Sequence, residues 1–210
     1  YKITKYLNDT RVCNQDNDED LIKCMKLLKE FHNQDLKVEH EFDVFEKMEF
    51  YENLRGPKSL YKDYKQTKEK VLSLKKIIDQ LPKEWKLCHI DANCDNFLFY
   101  KENEEEKIKL IDWEYAGMQD AHLDIAMFCI YSMYDRKQID HLIDIYFENK
   151  CDQQTRIKIY CYISMCGLLW SNWCEYKYTL GVEFGEYSLA QYRFAKDYYN
   201  IVIEEMGNMK

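Results

Sequence analysis

A short block of strand-like sequence interrupts a chain that otherwise follows helical spacing. On both sides of residues 85–111, apolar residues recur three and four positions apart, as is typical of amphipathic helices. Inside the block the pattern changes to short apolar runs bounded by polar turns, which favours strands at residues 85–89, 97–100 and 108–111. The sequence therefore predicts a mostly helical α+β fold with one small β-hairpin cradle, and we expect the chemistry of the protein at that cradle.

The helical segments have recognisable ends. The first begins after a candidate N-cap at Asn17 or Asp18, the second stops at Gly56-Pro57, and the third stops before Pro82. The charged run at residues 102–106 reads as a solvated hairpin tip rather than a metal site. The predicted helices cover residues 21–32, 42–54, 64–78, 122–133, 137–148, 154–176 and 185–206.

Composition and charge exclude several classes of protein. The net charge is −8, and the sequence has no basic stripe of the kind that a nucleic-acid binder needs. The same negative charge argues against binding to an anionic membrane surface. No apolar stretch is long enough to span a bilayer. The nine cysteines include no C-x-x-C pair, so they fit neither a disulfide framework nor a zinc site. Reduced, buried thiols are typical of a cytoplasmic protein, which is the expected location.

The first motif with a chemical meaning is His89-Ile90-Asp91-Ala92-Asn93-Cys94-Asp95-Asn96. It has the form H-x-D-x-x-x-x-N, which resembles the catalytic loop of kinase-fold enzymes. In such loops the Asp accepts or orients the proton of the attacking hydroxyl, and the Asn helps to hold Mg²⁺. Carboxylate and amide oxygens are hard ligands that suit this ion. We therefore predict that Asp91 is catalytic and Asn96 binds metal, while His89 either joins the catalytic group or braces the loop through the backbone.

A second motif, Leu110-Ile111-Asp112-Trp113-Glu114, follows the predicted hairpin. Asp112 ends an apolar strand and lies sixteen residues beyond Asn96, as expected for the second Mg²⁺-binding carboxylate of a kinase. A solvated Asp at the end of a strand is common on its own. The metal-binding interpretation of Asp112 therefore depends on the combined order of loop, hairpin and carboxylate.

Trp170 and Trp173 lie three residues apart in a predicted helix and hence on one of its faces. Two neighbouring indoles can form the walls of a cage for a quaternary ammonium group, where cation–π attraction replaces hydration. Taken alone, such a pair more often packs in a core. Four tyrosines are candidates for completing the cage: Tyr131, Tyr134, Tyr187 and Tyr192.

These residues resemble those of a known family. Residues 88–124 are similar to the catalytic core of the choline/ethanolamine kinases, which share a fold with protein kinases and aminoglycoside phosphotransferases. Residues 2–6 and 27–32 are similar to the hinge and first helix of the bacterial choline kinases, so the resemblance covers nearly the whole chain. The other matching pieces are His89-Ile90-Asp91 with Asn96, Ile111-Asp112-Trp113-Glu114-Tyr115, Leu123-Asp124-Ile125-Ala126, residues 168–173, Glu183-Phe184-Gly185 and residues 190–194.

The resemblance implies a role for each matching residue. Asp91 corresponds to the catalytic base, Asn96 and Asp112 to the Mg²⁺ ligands, and the two tryptophans to walls of the choline pocket. Tyr131 stands near the position where eukaryotic members have a Glu, and the pocket tyrosines shift in register onto Tyr187 and Tyr192. The negative partner of the substrate cation stays open between Asp91 and Glu114. At the hinge, the nucleotide is expected to contact Ile3, Lys5 and Tyr6.

One part of the kinase pattern is missing from the sequence. A kinase needs a Gly-rich loop over the phosphates and a Lys from a strand before the hinge, but this chain has six glycines and no such loop. We therefore expect the C-terminal lobe of a protein-kinase-like fold, with most of the N-lobe absent. Residues 1–8 would be the end of the N-lobe and the hinge. Residues 9–210 would be the helical C-lobe, with the metal site at 85–115 and the pocket helices at 121–206.

The leading hypothesis from the sequence is an ATP- and Mg²⁺-dependent choline kinase. The parent protein would transfer the γ-phosphoryl group of ATP to the hydroxyl of choline and so form phosphocholine, while the 210 residues alone would be inactive. Two alternatives remain open, a kinase for another small amine or aminoglycoside and a non-catalytic choline-binding fragment. The expected partner is a small molecule and not a nucleic acid, with no insertion into a membrane. The sequence does not choose between choline and ethanolamine, and the oligomeric state stays open.

Overall fold

Eight helices and five short strands make up residues 6–208, the part of the chain that the computed structural model describes. The mostly helical α+β fold predicted from the sequence is confirmed. The helices are α1 (Asp18–His32), α2 (Val44–Arg55), α3 (Tyr64–Ser73), α4 (Lys75–Ile78), α5 (His122–Tyr131), α6 (Arg136–Phe147), α7 (Gln153–Thr179) and α8 (Glu186–Asn208). The strands are β1 (Arg11–Val12), β2 (Trp85–Cys88), β3 (Phe97–Glu102), β4 (Glu105–Leu110) and β5 (Gly117–Asp120).

Side-chain caps determine where several of the helices begin. A polar residue before the first turn accepts backbone N–H groups that have no partner within the helix. At α6 the cap is reciprocal, because Asp135 accepts the N–H of Gln138 and the Gln138 side chain accepts the N–H of Asp135. The other caps of this kind are Asn17 for α1, Asp43 for α2 and Asp152 for α7.

The centre of the core is formed by α5 and α7. Residues 122–130 of α5 are all buried and, apart from His122 and Asp124, apolar, as expected of a helix surrounded by protein. α7 is buried over most of its length and packs against α2, α5 and α8. The helix that carries Trp170 and Trp173 is therefore in direct contact with the helix that follows β5.

Two small sheets flank the catalytic-loop sequence. In the first, β3 pairs with β4 as an antiparallel hairpin from Phe97↔Leu110 to Glu102↔Glu105, and β1 pairs with the other side of β3, which gives the order β1-β3-β4. In the second, β2 pairs with β5, with Cys88 opposite Gly117. The open end of the hairpin consequently lies between the loop that follows β2 and the segment that precedes β5.

The predicted central strands correspond to β2, β3 and β4, but β1 and β5 were not predicted. β1 has two residues, and all four residues of β5 are buried, so neither shows the alternation of apolar and polar residues that marks a half-buried strand. In β5, a Cβ atom on Gly117 would lie 3.1 Å from the backbone nitrogen of Phe42. Close approach of two backbones, rather than a side-chain pattern, determines this strand.

Among the helices of residues 6–208, none has the length and apolar character needed to cross a membrane.

Candidate active site

The loop that follows β2 has an unusual backbone at Ile90. This residue is fully buried and has a φ angle of 70°, a left-handed conformation that β-branched residues rarely adopt. The N–H groups of His89 and Ile90 donate to the two carboxylate oxygens of Asp124, at 2.8 and 2.7 Å. Asp124 lies in the first turn of α5 and is fully buried. Its carboxylate therefore offsets the cost of the strained loop and fixes where the loop leaves β2.

Asp124 is itself held by a residue of α1. The Nε2 atom of His32 lies 2.9 Å from Oδ2 of Asp124, and its Nδ1 lies 3.0 Å from the hydroxyl of Tyr146 in α6. Three helices thus meet at the carboxylate that supports the loop. Sequence analysis matched Asp124 to the family but gave it no role. The available signal was a single carboxylate inside the apolar run of α5.

Two asparagines fix the carboxylate of Asp91, which is half-buried. The Nδ2 atom of Asn93 donates to Oδ1 of Asp91 at 3.0 Å, and the Nδ2 atom of Asn96 donates to Oδ2 at 2.9 Å. Asn93 also caps the short 3-10 helix at residues 94–96, since its Oδ1 accepts the N–H groups of Asp95 and Asn96. Asp91 is therefore presented in one orientation by hydrogen bonds within its own loop.

Asp112 lies beside the same loop because both backbone groups of its neighbour Ile111 are hydrogen-bonded to residues of that loop. The Ile111 N–H donates to the carbonyl of Asn96 at 3.0 Å, and the Ile111 carbonyl accepts from Nε2 of His89 at 2.8 Å. The imidazole of His89 is fully buried and also meets the ring of Trp113 edge-on at 4.6 Å. This geometry supports the bracing role of His89 that sequence analysis held open.

The oxygens of Asn96 and Asp112 suit a hard cation. The Nδ2 group of Asn96 donates to the backbone carbonyl and to the carboxylate of Asp91. The Oδ1 atom of Asn96 is therefore the one able to bind a metal. Asp112 is exposed, has a left-handed φ of 63°, and has no ion pair or side-chain hydrogen bond within residues 6–208. An amide oxygen and a free carboxylate oxygen are the kinds of donor that Mg²⁺ prefers.

An aromatic cluster lies next to this loop. Trp170 is at its centre, with ring centroids 5.8 Å from Tyr115, 5.6 Å from Tyr131 and 5.7 Å from Trp173. The ring of Trp173 in turn lies 4.8 Å from that of Phe184. We define the aromatic cluster as Tyr115, Tyr131, Trp170, Trp173, Phe184 and Tyr187.

The negative charge of Asp91 raises the pKa of three tyrosine hydroxyls in the aromatic cluster. Burial raises the pKa of Tyr131 well above its usual value, and the Asp91 carboxylate raises it further. For Tyr115, burial, Tyr51, Glu114 and Asp91 together raise the pKa to about 12. Burial, Cys174 and Asp91 raise the pKa of Tyr187. All three phenols therefore stay protonated at neutral pH, and the cluster presents neutral rings beside a carboxylate.

The two tryptophans differ in their surroundings. Trp170 is 4% exposed, and its Nε1 atom donates to the sulfur of Met127 at 3.1 Å, so it is part of the core as well as of the cluster. Trp173 is half-buried and lies nearer the surface. The expectation that both indoles form walls of the choline pocket therefore fits Trp173 better than Trp170.

Other residues proposed from the sequence lie elsewhere. Tyr192 stacks on Tyr61 at 3.7 Å and bonds through its hydroxyl to Asp63 and Thr67, so its contacts are with the α3 region and not with the aromatic cluster. The Tyr134 hydroxyl donates to the carbonyl of Gln15.

Glu114, two residues beyond the candidate metal ligand Asp112, is exposed. At the predicted hinge, Tyr6 is 84% exposed, while Ile3 and Lys5 lie outside the described residues.

Comparison with known proteins gives a consistent result. The profile of the choline/ethanolamine kinase family matches residues 3–196. The chain is 26% identical over 201 residues to the LicA protein of Haemophilus influenzae strain Rd, covering 90% of this chain and 73% of that protein. It spans only 58% of a longer LicA from the same species.

Solved structures show the same similarity. The choline kinase LicA of Streptococcus pneumoniae superposes with a TM-score of 0.79 at 26% identity, covering 93% of this chain and 69% of that one. A structure of LicA in complex with AMP gives a TM-score of 0.81 at 26% identity, covering 94% of this chain and 68% of that one. Because the family profile matches most of its length, the chain belongs to the choline/ethanolamine kinase family.

Proposed function

We propose that the protein containing this chain is an ATP-dependent choline kinase, which transfers the γ-phosphoryl group of ATP to the hydroxyl of choline. The observation that carries the proposal is the pairing of a fixed carboxylate, Asp91, with a cluster of neutral aromatic rings. Choline has a hydroxyl at one end and a trimethylammonium group at the other. A base and a set of π-faces a short distance apart match these two ends.

In this proposal Asp91 accepts the hydrogen bond of the substrate hydroxyl and orients its oxygen for attack. Asn93 and Asn96 hold the carboxylate, so no rotation of the side chain is needed when the substrate binds. Asn96 and Asp112 would hold Mg²⁺, which neutralises charge on the transferring phosphoryl group when bound. The LicA structure with AMP supports a nucleotide as the phosphoryl donor.

The choice of choline over other amines is supported by the type of cation cage. Aromatic walls suit one compact, weakly hydrated ammonium group, whereas polyamines and aminoglycosides are better matched by several carboxylates. Asp91 is the carboxylate whose charge reaches three hydroxyls of the cluster, so it also supplies the negative potential for the substrate cation. Glu114 raises the pKa of Tyr115 as well and is the second candidate for this role.

The test is a substrate comparison with the full-length protein. Formation of ADP would be followed with choline, ethanolamine and kanamycin over a range of concentrations, with and without Mg²⁺. We expect the largest kcat/KM for choline and no turnover without a divalent ion. A preference for kanamycin or another polyamine would assign the protein to a different substrate class. Phosphoryl transfer to none of the three would contradict the proposal.

A further inference from the structure

One lysine lies on the ring proposed to bind the substrate cation. The Nζ atom of Lys177 is 5.4 Å from the ring centroid of Trp173. The two residues are four positions apart on α7, so they are neighbours on one face of the helix. An ammonium group at this distance from an indole makes a favourable cation–π contact. A cation that belongs to the chain itself therefore already occupies a face of Trp173.

No carboxylate within residues 6–208 neutralises Lys177, since its ammonium has no ion pair or hydrogen bond there. Lys196, which lies over Tyr192 in a similar way, also pairs with Asp63. Lys177 is half-buried. Its positive charge is therefore screened less than that of a fully exposed lysine and is felt by any second cation near Trp173.

Two further aromatic rings contact Trp173, which is half-buried. Trp170 meets it edge-on at 5.7 Å, and Phe184 lies 4.8 Å away at an angle of 44°. A trimethylammonium group that uses the π-face of Trp173 must either displace the Lys177 ammonium or bind close to it. The first event loses an existing cation–π contact, and the second brings two positive charges together.

We propose that Lys177 is a specificity-determining residue whose ammonium competes with the substrate cation for Trp173. This inference rests on the proposed function, because it assumes that the aromatic cluster receives a quaternary ammonium group. Lys177 weakens the binding of such a cation without contacting the reacting hydroxyl. Its removal strengthens binding of the cation and leaves binding of the nucleotide unchanged.

The experiment measures binding of tetramethylammonium chloride to the full-length protein by isothermal titration calorimetry. This probe has the cationic end of choline and no hydroxyl, so it reports on the cage separately from phosphoryl transfer. We expect Lys177→Met to lower the Kd about fivefold relative to the wild type, and Lys177→Arg, which keeps the charge, to stay within about twofold of it. The ratio of wild-type to Lys177→Met Kd should shrink in about 0.5 M salt, because salt screens repulsion between charges.

The matched control is Lys47→Met. Lys47 is also half-buried and lies 5.9 Å from an aromatic ring, that of Phe50 on α2, which makes no ring contact with a member of the aromatic cluster. We expect this variant to bind the probe as the wild type does. Thermal unfolding of each variant would show that it is folded.

The outcomes separate this inference from the proposed function. If the wild type binds tetramethylammonium and Lys177→Met binds it no more tightly, the role of Lys177 is refuted while the cage survives. An equal gain in Lys47→Met would refute it as well, since the effect would then be one of overall charge. If neither the wild type nor Lys177→Met binds the probe, the proposed choline site itself is wrong.

Discussion

At the scale of single residues, the two carboxylates of the candidate site differ in how many hydrogen-bond partners they have within the protein. Both oxygens of Asp91 accept hydrogen bonds from asparagine side chains, whereas Asp112 has no side-chain partner within residues 6–208. The exposed Asp112 carboxylate, on a backbone with a left-handed φ of 63°, keeps both oxygens available for an ion from solution, as the proposed metal-binding role requires.

Replacement of Asp112 by Asn tests this interpretation. Asn tolerates the left-handed conformation, so the fold should survive, while the loss of one charge weakens metal binding. We expect kcat of the full-length enzyme to fall at least about 100-fold with little change in thermal stability. Asp197→Asn, at an exposed position on α8, is the control and should keep wild-type activity. Near-normal turnover in Asp112→Asn would remove this residue from the metal site.

The two tryptophans should respond differently to truncation. Trp173→Ala removes a half-buried ring, and we expect it to raise the KM for choline several-fold while leaving the KM for ATP unchanged. Trp170→Ala removes a buried ring and should also cost about 3–5 kcal/mol of stability. Steady-state kinetics and urea unfolding of both variants measure the two effects. Equal changes in both KM values would mean that Trp173 only supports the fold.

The site residues that could be predicted from the sequence are those with a characteristic spacing along the chain. Asp91, Asn96 and Asp112 could be proposed because a catalytic loop and a hairpin impose fixed intervals along the chain. Asp124 supports the loop from 34 positions away, and that contact depends on how α5 packs, which spacing does not encode. Tyr192 was grouped with the pocket tyrosines, but α8 turns its ring toward Tyr61. Whether a tyrosine belongs to the pocket depends on which neighbouring helix its face of α8 packs against.

At the scale of secondary-structure elements, the most extensive contact among the described residues is between α7 and α8. Gly167 lies where α7 passes the backbone of α8, and a Cβ atom there would be 2.7 Å from the carbonyl oxygen of Gln191 and 2.8 Å from the nitrogen of Ala195. Backbone atoms cannot move aside as the end of a side chain can. The position of α8 relative to Trp170 and Trp173 therefore depends on a residue without a side chain.

Gly167→Ala should consequently destabilise the protein by about 2–3 kcal/mol, although alanine favours helix formation. Gly207→Ala provides the matched comparison on α8, because a Cβ at that position meets no atom within 4 Å. We expect Gly207→Ala to be neutral or to stabilise by up to about 1 kcal/mol. Chemical denaturation of both variants measures the difference. If both changes are neutral, the two helices are able to separate slightly at no cost.

Most of the helices were predicted from the sequence to within a few residues at each end, since their apolar spacing and caps are local. The single helix expected over residues 64–78 is instead divided at Leu74 into α3 and α4. The short strands β1 and β5 were not, because each is formed by pairing with a strand far away in the sequence. β1 at Arg11 pairs with Phe99, and β5 at Gly117 pairs with Cys88. Local pattern thus explains the helices, and tertiary pairing explains the strands that surround the site.

At the scale of the whole molecule, one arginine connects three parts of the chain. Arg11 in β1 donates to both carboxylate oxygens of Asp20 in α1, at 2.5 and 2.9 Å, and to Glu106 in β4 at 2.9 Å. Burial opposes ionisation of Asp20, but hydrogen bonds from Arg11 and from the Asn14 N–H outweigh it and hold the pKa of Asp20 below its usual value. This network joins the first strand, the first helix and the hairpin next to the candidate site.

The lowered pKa of Asp20 predicts a dependence of stability on pH. A carboxyl group whose pKa is lower in the folded state stabilises the fold above its unfolded-state pKa of about 3.9, and this contribution is lost as pH falls through the folded-state value. Asp20→Asn should therefore lower the free energy of unfolding by about 1–2 kcal/mol at pH 7, a modest amount because Arg11 is half exposed.

Urea unfolding at pH 7 and pH 3 would measure this difference. Asp20→Asn should lose less stability than the wild type between the two values, because it no longer takes up a proton at this site. Asp16→Asn, at an exposed position in the same loop, serves as the control and should follow the wild type. Parallel losses in wild type and Asp20→Asn would rule out this carboxyl as a source of acid sensitivity.

The order β1-β3-β4 leaves β4 as an outer strand, and within residues 6–208 no other strand pairs with its free side. A row of unpaired N–H and C=O groups is a template on which further copies of a chain can add and polymerise. Here that row carries Glu105, Glu106, Lys107 and Lys109 within six residues. In a parallel, in-register stack these side chains would lie against like charges, so the composition of β4 disfavours growth of such an amyloid fibril through this edge.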